Sequence, residues 1–125
     1  MDVNELIKII DGRLLNDSAD LSREVSGCGA ADLMSDVLAW LQPEAVLLTG
    51  LCNPQVVRTA QMADIAAVVL VRGKNPPQET VDLANAEGIP LIASPHGMYE
   101  VCGRLYQANV PCMEGPAKND ECHNE

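Results

Sequence analysis

The chain has 125 residues, 47% of them apolar, with 18 acidic against 8 basic residues and a formal net charge of −10. That length and apolar share suffice for one domain whose core needs no disulfides, and the acidity repels a nucleic-acid backbone or an anionic lipid surface. The opening residues lack a basic segment followed by a long apolar run, and no stretch reaches 18 apolar residues, so the expectation is a soluble, cytoplasmic protein with neither a nucleic-acid nor a membrane partner.

"MDVNELIKIIDG" sets Val3, Leu6, Ile7 and Ile10 at helical spacing, with Asp2 placed to cap the helix and Gly12 to stop it. "RLLNDSADLS" clusters Asn, Asp and Ser and predicts turns, and "REVSGCGA" predicts a short strand ending at glycines. Through "AADLMSDVLAWLQ" the residues Leu33, Met34, Val37, Leu38 and Leu41 make an apolar stripe, which predicts a second helix closed by Pro43. The rhythm then becomes regular: "EAVLLTG" strand, "NPQVVRTAQMAD" helix, "AAVVLVRG" strand, "PPQETVDLANAEG" helix, "PLIAS" strand, "HGMYEVCGRLYQA" helix. Short, continuously apolar strands alternating with helices predict a mostly parallel sheet covered on both faces and joined by right-handed crossovers. The expected fold class is therefore α/β, a single three-layer domain over residues 1–108 with repeated β-α crossovers. Residues 109–125, with two prolines, a glycine and many polar side chains, are expected to form a loosely attached, flexible C-terminal tail.

In such a sheet ligands bind outside the carboxyl ends of the strands, where helix N-termini point free amides. The sequence places Cys28 and Gly29 there, then Thr49, Gly50, Cys52 and Asn53, then Arg72, Gly73 and Lys74, and finally Ser94 to Gly97 with His96. Arg72 and Lys74 beside helix N-termini can hold a phosphate or carboxylate, the competing reading being two solvated loop cations. Neither a P-loop nor a GxGxxG motif is present. Gly50 suits a turn, and Asn53-Pro54 reads as a helix cap followed by proline at the first helical position.

Five cysteines, at 28, 52, 102, 112 and 122, contain no CxxC pair, which favours free thiols over a disulfide framework or zinc knuckle. Cys28, Cys52 and His96 are candidate ligands for zinc or iron, set against the reading of ordinary half-buried thiols; an iron–sulfur cluster usually needs about four, often closely spaced, cysteines. Cys112, Cys122 and His123 would add ligands only if the tail folded back, and Cys102 is expected to face the core. Cys52 with His96 also reads as a nucleophile and base, without an evident third orienting residue. Asp32 and Asp36, four apart, are expected on one helix face.

Several of these phrases together resemble the DRTGG domain family over residues 3–108: "IIDGRLLND", "LSREVSG", "AADLMSDVLAWLQPEAVLLTG", "AAVVLVRGKNPPQETVDLANAEGIPLIASP" and the closing amphipathic helix. Ala31, Asp32 and Met34 echo the family phrase before its second helix. The eponymous motifs are largely replaced. Gly50, Leu51 and Cys52 stand where the family reads Gly-Asp-Arg, Val71, Arg72 and Gly73 stand for Thr-Gly-Gly, and Gly97 and Met98 for an Asp-Thr pair. The resemblance implies a small module with a fold like the N-terminal domain of HPr kinase/phosphorylase, in the short stand-alone form found beside iron-only hydrogenase subunits. It implies a non-catalytic regulatory or assembly role, with a small-anion site at the strand ends and assembly as a homodimer. The alternatives are an iron–sulfur or thiol redox accessory with a protein partner in a hydrogenase system, its cofactor an iron–sulfur cluster, and an uncharacterised enzyme.

Overall fold

The computed structural model describes residues 1–17 and 20–116. The elements run α1 (Val3–Ile9), β1 (Arg13–Leu14), β2 (Gly27–Ala30), α2 (Met34–Trp40), β3 (Ala45–Thr49), α3 (Pro54–Met62), β4 (Ala67–Leu70), α4 (Gln78–Glu87), β5 (Leu91–Ala93) and α5 (Met98–Gln107). One sheet has the order β1-β5-β4-β3-β2. Strands β2 to β5 are parallel, as expected, and β1 pairs with β5 antiparallel.

Alternate strand residues feed two apolar layers. Val46, Leu48, Val69 and Ile92 pack with Val3, Leu6 and Ile10 of the α1 region and with Val101 and Leu105 of α5. Ala45, Leu47, Val68, Leu70 and Leu91 pack on the other face with Val37, Val56, Val57, Ala60 and Ala84, from α2, α3 and α4. All five residues of β3 are buried, which explains why its sequence is an unbroken apolar run rather than an alternation. Helix α1 starts at a capping box, with Glu5 N donating to Asp2 Oδ1 at 2.9 Å and Asp2 N to Glu5 Oε1 at 3.2 Å. Helix α4 stops at Gly88, whose φ of 68° is left-handed.

Three local expectations change. The segment read as turns holds β1, in register Arg13↔Ala93 and Leu14↔Ile92, because two residues are too few to show a periodicity. Asn16 extends this pairing as a buried rung, its Nδ2 donating to Ile89 O at 2.7 Å and its Oδ1 accepting from Leu91 N at 2.9 Å. Helix α2 begins only at Met34, so Asp32 lies in the preceding loop and shares no helix face with Asp36. Of the apolar stripe only Val37 is buried, while Leu33 and Leu38 are 61% and 48% exposed.

The chain after α5 also departs from expectation. Instead of leaving the domain at residue 109, it runs along the outer edge of β2. Cys28 N donates to Pro111 O and Met113 N to Cys28 O, both at 2.9 Å, which makes Cys28 and Cys112 partners in a parallel bridge. Ala30 N donates to Glu114 Oε2 at 2.6 Å, and Gln42 N to Met113 O at 3.3 Å. The edge of β2 is thus satisfied by the chain's own segment 110–114. What makes room is the pattern Gly27-Cys28-Gly29: a Cβ at residue 27 would overlap Met113, and one at residue 29 would overlap Leu41 and Glu114. The expected Cys122 and His123 contributions lie outside the described residues.

Candidate ligand site at the strand ends

Strands β2, β3, β4 and β5 are successive neighbours, and α2, α3 and α4 all return over one face. The chain changes face only after β5, when α5 crosses to the layer of α1. Adjacent strands β4 and β5 therefore send their following helices to opposite sides. That divergence marks the point at which open α/β sheets place their ligand crevices, outside the carboxyl ends of the strands.

The loop after β4 carries Arg72, Gly73 and Lys74, all exposed. Arg72 and Gly73 are both left-handed, with φ of 66° and 63°. Their amides are committed to the neighbouring loop, Arg72 N donating to His96 O and Gly73 N to Ser94 O, each at 2.7 Å. These bonds tie the two loops, while the Arg72 and Lys74 residues stay exposed. The Arg72 stem lies over the start of α5, its Cγ 3.9 Å from where a Cβ on Gly97 would be. The N-cap of α5 is Gly97 and supplies no side-chain hydrogen bond, so the first-turn amides carry no side-chain cap.

His96 sits at the same end but faces the α1–β1 turn. Its Nε2 lies 2.8 Å from Asp11 Oδ2, and Arg104 Nη1 reaches the same oxygen at 3.2 Å. The hydrogen bond from His96, with the Arg104 charge next in size, holds the Asp11 carboxyl below its ordinary range. Arg104 also bonds Glu100 Oε2 at 2.9 Å and Ile9 O at 3.3 Å. His96 is thereby part of a small charged network that joins α1 to α5.

The loop after β3 is occupied differently. Thr49 is buried, and its Oγ1 donates to Asp32 Oδ1 at 2.9 Å, while Gly50 N donates to the same oxygen at 2.8 Å. The chain's own carboxylate fills the place an external anion would take at Thr49 and Gly50. The signal was in the register: Ala30 pairs with Leu48, so two residues further on Asp32 stands beside Gly50. Asn53 precedes α3 but makes no side-chain cap bond, so the capping expected of it is not what holds that turn; Pro54 at the first helical position is present as expected. Cys52 packs against the α2–α4 layer, and its carbonyl accepts from Thr80 Oγ1 at 2.9 Å.

Cys28 points to the opposite layer from Cys52, packing with α5. The expected meeting of Cys28, Cys52 and His96 does not occur, and among the described residues no group of three His, Cys, Asp or Glu side chains is arranged to hold a metal. With Cys52 in one layer and His96 paired to Asp11, the nucleophile and base pairing also fails to assemble. Cys28 has Cys102 and Cys112 as neighbours instead. Burial, and then the charges of Cys102, Cys112 and Glu114, push the Cys28 thiol up to about 11. Burial also raises the Cys102 thiol.

Fold and rim together define an open α/β module with one face-switching pair of strands and a basic loop at that point. The chain belongs to the DRTGG domain family, whose model matches residues 5–108. Among solved structures it is similar to the CBS and DRTGG domains of the regulatory region of a Clostridium perfringens pyrophosphatase, complexed with its activator diadenosine tetraphosphate. The two superpose with a TM-score of 0.68 at 12% identity, over 87% of this chain and 47% of the other, so the present chain spans about half of that structure's length. No curated protein sequence matches the chain. Among the described residues no helix is long and apolar enough to cross a membrane.

Proposed function

We propose that the chain is a non-catalytic regulatory module that binds a small phosphorylated anion at the crevice between the ends of β4 and β5. The observation that carries this reading is the divergence of α4 and α5 from adjacent strands, with the exposed Arg72 lying over a helix start that has no side-chain cap and Lys74 exposed on the same loop. The two cations supply charge-assisted bonds, and the α5 amides supply directed donors. Gly73 takes its left-handed φ without a Cβ penalty and keeps the loop tight against β5. The likeness to a regulatory region complexed with a dinucleoside polyphosphate supports a phosphate chain as the ligand's charged part. Of the residues singled out in the sequence, Arg72, Gly73 and Lys74 carry the site, and Thr49 and Gly50 serve Asp32.

Titration calorimetry with diadenosine tetraphosphate and with pyrophosphate tests this. Wild type is expected to bind at least one of them, and the double variant Arg72→Ala, Lys74→Ala to bind at least about tenfold more weakly, the loss expected when about 1.4 kcal/mol of contact is removed. Lys8→Ala, in α1, is the control. Binding that survives the double variant unchanged, or no binding of either anion, removes the proposal.

The assembly part of the role rests on a separate feature. Leu33, Leu38 and Trp40 of the α2 region and Met62 of α3 are exposed apolar side chains, and a homodimer through the α2–α3 region would cover part of them. Light scattering should give twice the chain mass, and Leu38→Glu should give the monomer. The hydrogenase-accessory reading would be favoured over the anion reading by colour and stoichiometric iron after anaerobic purification.

A further inference from the structure

A concavity distinct from the β4–β5 loops lies between the β2 edge, α5 and the segment 110–114, a groove of about 130 Å³ lined in part by Cys28, Ala30, Leu48, Cys102, Tyr106 and Cys112. Three of the five cysteines meet here, far apart in sequence and brought together because α5 crosses β2 and the following chain returns along it. The register singles out one pair. Cys28 and Cys112 are direct partners across the parallel bridge, so both side chains leave the sheet on the same face. Their Cα atoms are separated by one strand spacing, about 4.8 Å, inside the window of roughly 4.4–6.8 Å that a disulfide spans. Cys102 reaches the same groove from the facing helix α5 and is the competing partner of Cys28, but no backbone register sets it directly opposite. The two partners differ in access, Cys112 being exposed and Cys28 half-buried.

We propose that Cys28 and Cys112 form a reversible intramolecular disulfide, with a low-molecular-weight disulfide as the oxidant, and that this bond locks the segment 110–114 onto the β2 edge. The exposed Cys112 thiolate attacks one sulfur of the small disulfide, forming a mixed disulfide and releasing the first small thiolate. Cys28 then attacks Cys112 Sγ, the protein disulfide forms, and the second small thiolate leaves. Two protein thiols are oxidised, one small disulfide is reduced to two thiols, and the two cysteine protons end on the released thiolates. In the reduced chain the segment is held without a covalent bond, by the two bridge bonds of 2.9 Å, the Gln42–Met113 bond, the bond from Ala30 N to Glu114, and the packing of Val110 and Met113 against the two apolar layers. Oxidation adds a covalent closure at their centre. This inference is independent of the anion site, since the groove shares no residue with the β4–β5 crevice.

The test is to incubate the full reduced chain with oxidised glutathione, quench with acid, and map disulfides by mass spectrometry under non-reducing conditions. The expected product is a cross-linked peptide pair containing Cys28 and Cys112, kept in Cys102→Ser and lost in Cys112→Ser. A cross-link between Cys112 and Cys122, one between Cys28 and Cys102, glutathione left on Cys112 as the end product, or no disulfide at all overturns the proposal. Hydrogen exchange on wild type provides a readout that needs no variant. The amides of Cys28 and Met113 should exchange at least tenfold more slowly in the oxidised chain, and equal rates in the two states count against it.

Discussion

Replacing Gly27 by alanine puts a methyl group where the returning segment already is. The new Cβ would overlap Met113 Cγ and come within 2.5 Å of the Pro111 carbonyl oxygen and 2.9 Å of Met113 Sδ. Comfortable contacts lie at about 3.5–4.0 Å, so the segment must retreat by roughly 1 Å. Met113 can rotate away, but the Pro111 oxygen is backbone and accepts the bond from Cys28 N, so retreat breaks the bridge. The bridge bonds are worth about 0.5–1.5 kcal/mol each and the carboxylate bond at Ala30 about 1.5–3 kcal/mol, while the released chain regains about 1–2 kcal/mol of entropy per residue. The net cost should match ordinary overpacking, about 1–3 kcal/mol. Gly103 is the internal control: it is exposed inside α5, a Cβ there meets nothing within 4 Å, and Gly103→Ala should stabilise by about 0.5–1 kcal/mol. Chemical denaturation measures both changes, and hydrogen exchange at Cys28 and Met113 locates the first. If Gly27→Ala matches wild type in stability and in exchange at those two amides, the segment is not what the glycine accommodates, and the reasoning fails.

Other outcomes follow from single side chains. Asn16→Ala leaves Leu91 N and Ile89 O buried without that partner and should cost about 2–4 kcal/mol in urea denaturation; a loss under about 0.5 kcal/mol would mean the rung is dispensable. Asp11 has a folded-state pKa below its ordinary value of 3.8, so its contribution is present above that pH and is lost as the pH falls from there through the lower folded value. Acid titration of the denaturation midpoint should therefore show a weaker decline below pH 3.8 for Asp11→Asn, and identical profiles would exclude the His96–Asp11–Arg104 network as a contributor. Cys28, raised from 9.0 to about 11 by burial and by Cys102, Cys112 and Glu114, carries about a hundredfold less thiolate near pH 8 than an ordinary thiol. Iodoacetamide labelling should find it far slower than Cys112 in the reduced protein, and equal labelling rates would contradict its burial.

The parallel sheet was legible because β3, β4 and β5 are short apolar runs set at regular intervals between amphipathic helices. What the sequence hid has physical reasons. Strand β1 is two residues long and is continued by the bond from Leu15 N to Leu91 O and then by the Asn16 side chain, in a segment whose composition reads as a turn. The C-terminal segment looks polar and proline-rich, yet its fastening depends on backbone bonds and on the missing side chains of Gly27 and Gly29, neither of which registers as hydrophobicity. Leu33 and Leu38 kept helical spacing without being core, since a stripe on a helix states amphipathicity but not which partner covers it. Arg72, Gly73, Lys74 and His96 follow β4 and β5, where the strand–helix rhythm puts them, whereas the partners that redirect His96 and Thr49 are carboxylates that the one-dimensional pattern gave no reason to pair with them.

Two carboxylates bear on why the proposed anion site is set at the β4–β5 loops. Asp32 closes the β3 end by presenting an anion to Thr49 and Gly50, and Asp11 draws His96 toward the α1–β1 turn. Each supplies from within the chain a negative charge that a ligand would otherwise bring. Among the described residues Arg72 and Lys74 pair with no carboxylate, as Lys8, Arg13 and Arg58 also do not, whereas Arg23 joins Asp64 and Arg104 joins Asp11 and Glu100. In a chain with ten more acidic than basic residues, two cations kept at a face-switching loop stand out against the surrounding field. The acidity that discourages a polyanion as a whole partner leaves room for the small one proposed above, because contact with a few phosphate oxygens would engage only that loop and the start of α5 while the rest of the surface stays in solvent.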